Sequence, residues 1–105
     1  MATKPLLRVE VQQATPGVVV IRCEGEVDLT TCVELQEAIG WSFTPDLSTL
    51  RLDLTAVEFF DSAGIRCLVE CHRRCTDLDI GLEVVTSPAV ERVLSLVGFR
   101  EATQT

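Results

Sequence analysis

The chain contains no tyrosine, and among its 105 residues it has only one tryptophan, one methionine and one histidine. The histidine, His72, has no second histidine or acidic residue at the spacing of a metal site. It follows Ser62 by ten residues, about 15 Å along a helix, which is too far for it to act as the base of a hydrolytic triad. We therefore expect no catalytic residue and no bound metal ion.

Nucleotide-binding loops are missing as well. Six glycines are present, but they form neither a GxxxxGK[ST] phosphate-binding loop nor a GxGxxG dinucleotide fingerprint. Ser62 does not stand in the GxSxG context of a hydrolase nucleophile. The sequence predicts no cofactor, and it gives little support to an enzyme with an activity of its own.

Long hydrophobic runs and basic charge are both scarce. No apolar stretch approaches the roughly 20 residues that cross a bilayer, and the first residues, MATKPLLRVEVQQ, lack the apolar core and cleavage site of a secretory signal. Nine Lys and Arg stand against sixteen Asp and Glu, a formal net charge of −7, which disfavours nucleic acid or an anionic membrane as a partner. We expect a soluble, cytoplasmic protein that is better suited to a basic protein partner.

Cysteine is plentiful, but its pattern fits no framework. Five cysteines are an odd number, and no CxxC pair occurs, which argues against a secreted disulfide scaffold and against a zinc ribbon. Cys67, Cys71 and Cys75 recur at every fourth residue and would form one ridge along a helix. Buried, reduced thiols that act as small hydrophobes are the ordinary interpretation. Redox sensing, or a ridge that faces a partner, is the alternative.

Apolar patterning predicts one α/β domain, because the chain has room for a single core. Alternation over residues 6–12, a Pro16–Gly17 turn and an apolar run over residues 18–23 predict an antiparallel hairpin. Later strands at about 50–60 and 82–86 are separated by helical segments and must run parallel through crossovers. The predicted order is β-β-α-β-α-β-α: a small mixed sheet, antiparallel at the opening hairpin and otherwise parallel, packed with about three helices.

Capping residues predict the bounds of the first helix. Asp28 is placed to cap a helix that buries Leu29 and ends at Gly40. Two aromatic residues in the segment that follows, Trp41 and Phe43, are expected to cover the end of the core.

The last helix has comparable signals. Ser87 and Pro88 are expected to begin it as N-cap and first-turn proline. Gly98 is expected to stop it, and Phe99 to fold back on the core.

The strongest functional signal lies between Leu50 and Cys75, which read as an apolar strand, a tight acidic turn and an amphipathic helix. Ser62 stands where the helix begins, with Asp61 before it and Gly64 just after. A helix start directs free N–H groups and the positive end of its dipole at such a turn, so a negative charge there would be stabilised. From composition and spacing alone, these residues are also explained if Ser62 or Asp61 only caps the helix.

The segment VEFFDSAGIRCL resembles the Asp-Ser-x-Gly signature of STAS domains, most closely that of the bacterial anti-sigma factor antagonists. The likeness covers nearly the whole chain, because GEVDLTTCVEL is similar to the segment that leads into the family's first helix, and SPAVERVLSLVGF to its final helix. The resemblance implies a single STAS domain over residues 1–105.

By this resemblance Ser62 is the phosphoacceptor of a serine kinase that is also the anti-sigma factor, and a serine phosphatase restores it. The unphosphorylated protein would bind the anti-sigma factor and free a sigma factor. Phosphate would add about −1.5 to −2 charge beside Asp61. An interface shaped for a neutral serine would then have to bury an unpaired charge, which costs several kcal/mol.

The resemblance implies partner contacts from the turn and from the family's neighbouring loop, namely Glu26, Asp28, Asp61, Ala63, Gly64 and Arg66. Capping for Asp28 and a small residue at a helix start for Gly64 are the structural alternatives. Ala63 replaces a second serine often found in the motif, which removes another acceptor. Arg66 stands where the family usually has a small or aliphatic residue, and it could pair with a phosphate or, more ordinarily, with Glu70.

Two other functions remain as alternatives. One is a constitutive STAS subunit of a larger assembly, such as a lipid-transport ATPase or a stress-signalling complex, in which Ser62 only caps the helix. The other is a redox-sensing regulator built on Cys67, Cys71 and Cys75.

Overall fold

The structure, a computed structural model, describes residues 6–97. Its elements are β1 (Leu7–Thr15), β2 (Val18–Val27), α1 (Cys32–Ser42), β3 (Thr49–Phe60), α2 (Ser62–Asp77), β4 (Gly81–Thr86) and α3 (Pro88–Val97). The predicted order β-β-α-β-α-β-α is confirmed. None of these helices has the length and apolarity that crossing a membrane requires.

The strands form one sheet in the order β1-β2-β3-β4. β1 and β2 pair antiparallel across the turn at Gly17, whose φ of 82° suits a glycine. β2 pairs with β3, and β3 with β4, in parallel, because each connection contains a helix that returns the chain to the same end of the sheet. The mixed sheet is therefore as predicted, and the carboxyl ends of β2, β3 and β4 lie at the same end of the sheet.

A single cluster of buried apolar side chains joins the sheet to the helices. Leu50, Leu52 and Leu54 alternate along β3 and are completely buried, as their spacing predicts. Leu68 of α2 and Leu94 of α3 belong to the same cluster. This packing fixes the strand and the helix on either side of the turn that contains Ser62.

Gly25 shapes the end of β2. Its φ of 115° lies in the region that favours glycine, and a Cβ at this position would collide with the carbonyl oxygen of Leu6. The close approach brings the Glu26 N–H within 2.8 Å of the same oxygen, to which it donates a hydrogen bond. The glycine thus sets the path by which the chain leaves β2 towards Asp28.

The first helix departs from the prediction at both ends. A turn over residues 28–31 precedes α1, and the helix continues past Gly40 to Ser42. Gly40 lacks the positive φ that a left-handed helix end requires, so its predicted role is wrong. Leu29 lies in the turn before the helix and is 79% exposed, so its predicted burial is wrong as well.

The two aromatic residues at the end of α1 have different environments. Phe43 packs against the core, and the Arg74 guanidinium lies 4.2 Å from the centroid of its ring. Trp41 is 83% exposed, so the expectation that both aromatics cover the core is wrong for Trp41.

The last helix begins as predicted. The Ser87 hydroxyl oxygen accepts a hydrogen bond from the Val90 N–H at 3.2 Å and donates one to the Val57 carbonyl oxygen at 2.6 Å. The predicted stop at Gly98 and the packing of Phe99 lie outside the described residues.

Candidate functional site

Asp61 is the N-cap of α2. It follows the last residue of β3 in an extended conformation, with φ −116° and ψ −164°, and its carboxylate accepts a hydrogen bond from the Ala63 N–H at 2.9 Å. This bond satisfies one of the N–H groups that a helix start leaves free, and the negative charge lies at the positive end of the helix dipole. Of the two capping candidates in the sequence, Asp61 is the one that caps.

Ser62 is the first residue of α2, and its side chain is exposed. No hydrogen bond within residues 6–97 engages its hydroxyl. The hydroxyl is therefore not needed to hold the helix start, and solvent or a partner can reach it. An anion attached at this oxygen would lie at the positive end of the dipole of a 16-residue helix.

Gly64 is buried, and the fold itself explains why it is a glycine. A Cβ on Gly64 would lie 2.6 Å from ring atoms of Phe60, which is closer than two carbon atoms can approach without a shift. The Phe60 ring is itself buried in the core cluster. The structural alternative for Gly64 thus has direct support, while a contact of this residue with a partner stays a prediction.

The β2–α1 loop lies beside this turn, as the family resemblance implies. Val27 is the register partner of Phe60 across the parallel strands, and the Asp61 N–H donates to the Val27 carbonyl oxygen at 3.3 Å. Both loops leave the sheet at the edge where parallel strands end, the common location of binding sites in parallel α/β folds. Glu26 and Asp28 are therefore brought close to the turn of Ser62.

Asp28 holds its own loop together. Its carboxylate accepts hydrogen bonds from the Thr30 and Thr31 N–H groups, each at 2.9 Å. In return, the Thr31 hydroxyl oxygen accepts a bond from the Asp28 N–H at 2.9 Å, and its proton goes to the Glu26 carbonyl oxygen at 2.8 Å. This reciprocal arrangement has the bonding pattern of a capping box, but it closes the turn before α1, whose N-cap is Thr31. The predicted role of Asp28 as the cap of the first helix is therefore wrong. Sequence reasoning missed Thr31, although the D-x-x-T spacing was the available signal.

Two large apolar side chains near this turn, one in the β2–α1 loop and one at the end of β3, are also exposed, and sequence reasoning did not select either as a functional residue. Leu29 is 79% exposed, and Phe59, the register partner of Glu26, is 49% exposed. The signal for Phe59 was its place before Phe60, because consecutive residues of a strand point to opposite faces. We call Glu26, Asp28, Leu29, Phe59 and Ser62 the loop surface.

Arg66 lies one helical turn after Ser62 and is exposed, and Ala63 is half-buried. The ordinary expectation for Arg66 was an ion pair with Glu70. Within residues 6–97 the ion pairs are Arg22–Asp53 and Arg51–Glu83, so the pair with Glu70 does not form. The Arg66 guanidinium is left on the same side of the helix as Ser62.

The cysteines belong to the core. Cys67, Cys71 and Cys75 are all buried and reduced, and burial raises the pKa of the Cys67 thiol to about 12. A hydrogen bond donated to Cys75, together with burial, raises the pKa of Cys71, while the pKa of Cys75 is lowered because it accepts that bond. The predicted burial of these thiols is confirmed, and the raised pKa of Cys67 and of Cys71 disfavours redox sensing at those two positions. No cluster of metal-ligating side chains occurs in the part of the chain that the structure describes.

The fold and the turn define a small α/β domain whose candidate site is an exposed loop surface around a free serine hydroxyl. The sequence profile of the STAS domain matches residues 10–104. The chain therefore belongs to the STAS domain family, as the resemblance of its DSAG turn indicated.

A relative identified by sequence is named as a regulator of a sigma factor. The anti-sigma-F factor antagonist RsfB of Mycobacterium tuberculosis is 44% identical over 52 residues, which cover 50% of this chain and 43% of RsfB. The chain thus spans less than half the length of this curated relative.

Solved structures agree with the fold. An anti-sigma factor antagonist from Mycobacterium paratuberculosis is 29% identical, with a TM-score of 0.81 over 93% of this chain and 83% of that one. The Bacillus cell fate determinant SpoIIAA in its phosphorylated form is 21% identical, with a TM-score of 0.73 over 90% of this chain and 86% of that one. At this identity the likeness to SpoIIAA establishes the fold alone.

Proposed function

We propose that residues 1–105 act as one STAS domain and as an anti-sigma factor antagonist. The unphosphorylated chain binds an anti-sigma factor, which is also a serine kinase, and so releases a sigma factor. Phosphorylation of Ser62 ends the binding, and a serine phosphatase restores it. The observation that carries the proposal is the exposed Ser62 hydroxyl at the start of α2, free of hydrogen bonds within residues 6–97.

The environment of Ser62 suits a switch that changes the interface and spares the fold. A phosphate adds about −1.5 to −2 charge, and the start of α2 accommodates it through the helix dipole and the remaining free N–H groups. Asp61 already places a carboxylate at this turn, on a chain with a formal net charge of −7. A partner surface that accepts a neutral serine would have to accept a doubly charged group beside Asp61, at a cost of several kcal/mol.

The loop surface gives the proposed contact its chemistry. Leu29, in the β2–α1 loop, and Phe59, at the end of β3, provide exposed apolar area, which is the kind of feature that anchors an interface. Glu26 and Asp28 add acidic character, so we expect the partner to offer an apolar pocket bordered by basic side chains. The chain acts as a regulator without enzymatic activity, in the bacterial cytoplasm, and it takes no cofactor, nucleic acid or membrane as partner.

Hydrogen bonding also favours this function over that of a constitutive STAS subunit. In the latter, Ser62 would be retained as a helix cap. Asp61 supplies the capping bond instead, to the Ala63 N–H at 2.9 Å, and Ser62 makes no comparable bond. The exposed hydroxyl then needs another explanation, which phosphorylation provides.

The test is a kinase reaction followed by a binding measurement. The chain is incubated with ATP and the anti-sigma factor kinase of its source organism, and the intact mass of the wild type is compared with that of Ser62→Ala. We expect one phosphate on the wild type and none on the variant. In a pull-down with the same kinase, wild type and Ser62→Ala should be retained and Ser62→Asp lost. An unphosphorylated wild type, or full retention of Ser62→Asp, would contradict the proposal.

A further inference from the structure

The outer edge of β1 is the less protected of the two sheet edges. β1 is nine residues long and, within residues 6–97, pairs only with β2. Its pairing is regular from Leu7 to Gln13, and the irregularity comes only after Gln13. Natural edges are usually shortened, bulged or occupied by lysine or proline, and β1 contains neither lysine nor proline. β4, at the opposite edge, has only six residues.

The backbone groups that β1 presents at this edge can be assigned. Leu6 directs its carbonyl oxygen at β2, since it accepts from the Glu26 N–H at 2.8 Å. In an antiparallel ladder every second residue points its N–H and C=O the same way. The backbone N–H and C=O groups of Arg8 and Glu10 therefore also form hydrogen bonds with β2. Those of Leu7, Val9 and Val11 point to the free edge.

The side chains on the polar face of the sheet alternate in charge across the strands. Glu10 is the register partner of Arg22, and Arg22 that of Asp53, with which it forms an ion pair at 3.1 Å. In the adjacent row, Arg8 is the register partner of Glu24. At the free edge, one row ends in a glutamate and the other in an arginine. The two rows therefore present charges of opposite sign there.

We propose that a second copy of this chain binds the free edge of β1, antiparallel, with Val9 opposite Val9 of the second copy. The N–H and C=O groups of Val9 then form hydrogen bonds with those of Val9 in the second copy. Those of Leu7 in each copy form hydrogen bonds with those of Val11 in the other. Arg8 of each copy stands opposite Glu10 of the other, at the positions where side chains are closest across an antiparallel pair. The row Asp53, Arg22, Glu10 then continues into Arg8 and Glu24 of the second copy with strict alternation of sign.

Neighbouring registers lack this complementarity. A shift by two residues places Glu10 opposite Glu10 of the second copy, a repulsion between like charges directly across the strands. The opposite charges of Arg8 and Glu10, two positions apart on one strand, thus select both the self-pairing and its register. This self-complementarity is what a two-fold symmetric interface requires, and it favours a second copy over an unrelated strand.

The apolar side of the same edge is also uncovered. Trp41 is 83% exposed and Val11 is 52% exposed, and the two line one shallow cavity with Gln13, Gly17 and Val19. Gln36 and Gly40 border α2, whereas Trp41 lies on a different flank of α1, beside β1 and β2. A second copy paired along β1 would cover this flank, which accounts for a tryptophan that the core does not use.

The proposal does not depend on the proposed function. Ser62 lies at the carboxyl end of β3, and β2 separates β3 from β1 in the sheet. Pairing along β1 therefore leaves Ser62 outside the dimer contact in both copies. Loss of self-association and loss of kinase recognition are separate outcomes, measured on different variants.

Sedimentation equilibrium of the full chain tests the proposal by a charge exchange. Arg8→Glu and Glu10→Arg each create two like-charge contacts in their own dimers, and we expect each to weaken self-association about tenfold or more. An equimolar mixture of the two variants has opposite charges at both contacts and should regain the wild-type association. Both variants keep a negative net charge, so overall attraction cannot mimic this rescue. Arg73→Glu, an exposed position on α2, is the matched control and should associate as the wild type does.

Val9→Pro gives a second test. The Val9 N–H faces the free edge, so proline removes a bond of the dimer and none to β2. We expect a monomer whose thermal unfolding and far-UV circular dichroism remain those of the wild-type fold. The proposal is overturned if the wild type has the mass of a single chain at all concentrations up to about millimolar. It is also overturned if Arg8→Glu, Glu10→Arg and Val9→Pro all remain dimers, or if the mixture of the two charge variants does not regain association.

Discussion

The ring of Phe60 occupies the space that a side chain on Gly64 would need. A Cβ at position 64 would lie 2.6 Å from the ring, whereas a Cβ on Gly40, in α1, would meet nothing within 4 Å. The two glycines lie in the two helices that follow β2 and β3. Alanine at position 40 tests only the general preference of helices for alanine over glycine. Alanine at position 64 also tests the steric conflict with Phe60 at the turn of Ser62.

We predict that Gly64→Ala lowers the free energy of unfolding by about 1–3 kcal/mol, the usual cost of overpacking a core. Gly40→Ala should raise it by up to about 1 kcal/mol, because alanine is the better helix former and the site is open. Urea denaturation of both variants measures the difference. A Gly64→Ala protein as stable as the wild type would mean that Phe60 moves aside easily, and would remove the packing explanation.

Removal of the Asp61 carboxylate should destabilise α2 at its start. Asp61→Ala loses the bond to the Ala63 N–H, and we expect a loss of about 1 kcal/mol in thermal or urea unfolding. Asp61→Asn keeps an acceptor at this position and should lose less. Asp77→Ala, the same change at the last residue of α2, is the control, and it should be neutral or slightly stabilising because it removes a negative charge from the negative end of the dipole.

The sequence was sufficient for the order of elements because most segments have one strong period. The alternation of Leu50, Leu52 and Leu54 permits only a half-buried strand, and the helices between parallel strands follow from the need to return to the same sheet end. The turn of Ser62 was predictable for the same reason. The spacing of apolar residues changes from every second residue, typical of a strand, to a helical period between Asp61 and Gly64.

What the sequence did not reveal depends on tertiary neighbours. Gly40 resembles a helix end, but the chain continues as helix until Phe43 reaches its contact with Arg74. Leu29 fits the apolar period of α1 and yet stands before it, because the bonds between Asp28 and Thr31 form a separate turn. The exposure of Trp41 likewise depends on how α1 packs against the sheet, which no local pattern encodes.

Buried thiols should make the fold sensitive to alkaline pH. Burial raises the pKa of Cys23 and of Cys67 from 9.0 to about 12. Below about pH 9 the thiols are protonated in both states. Between about pH 9 and 12 they ionise in the unfolded chain first, so stability falls as pH rises, by up to about 1.4 kcal/mol per pH unit for each thiol. Tyrosine is absent, so no phenol titrates in this range.

Urea denaturation at pH 7 and at several values above pH 9, in the presence of reductant, measures this slope. Cys67→Ala should be less stable at pH 7, because it leaves space in the core, but its stability should fall less steeply above pH 9. An unchanged slope would show that Cys67 is accessible to solvent, and would reopen the redox alternative.

The apolar side chains of the loop surface provide a direct test of where the partner binds. Leu29→Ala and Phe59→Ala remove side chains that are 79% and 49% exposed, so each should change the free energy of unfolding by less than about 1 kcal/mol. If Leu29 and Phe59 anchor the anti-sigma factor, each substitution should weaken binding at least about tenfold, as truncation of a buried interface residue does. Leu96→Ala, on α3 and 82% exposed in the free chain, is the matched control and should bind as the wild type does. Titration calorimetry with the unphosphorylated chain gives the three affinities. Equal affinities for all three variants would place the partner elsewhere, even if Ser62 is phosphorylated.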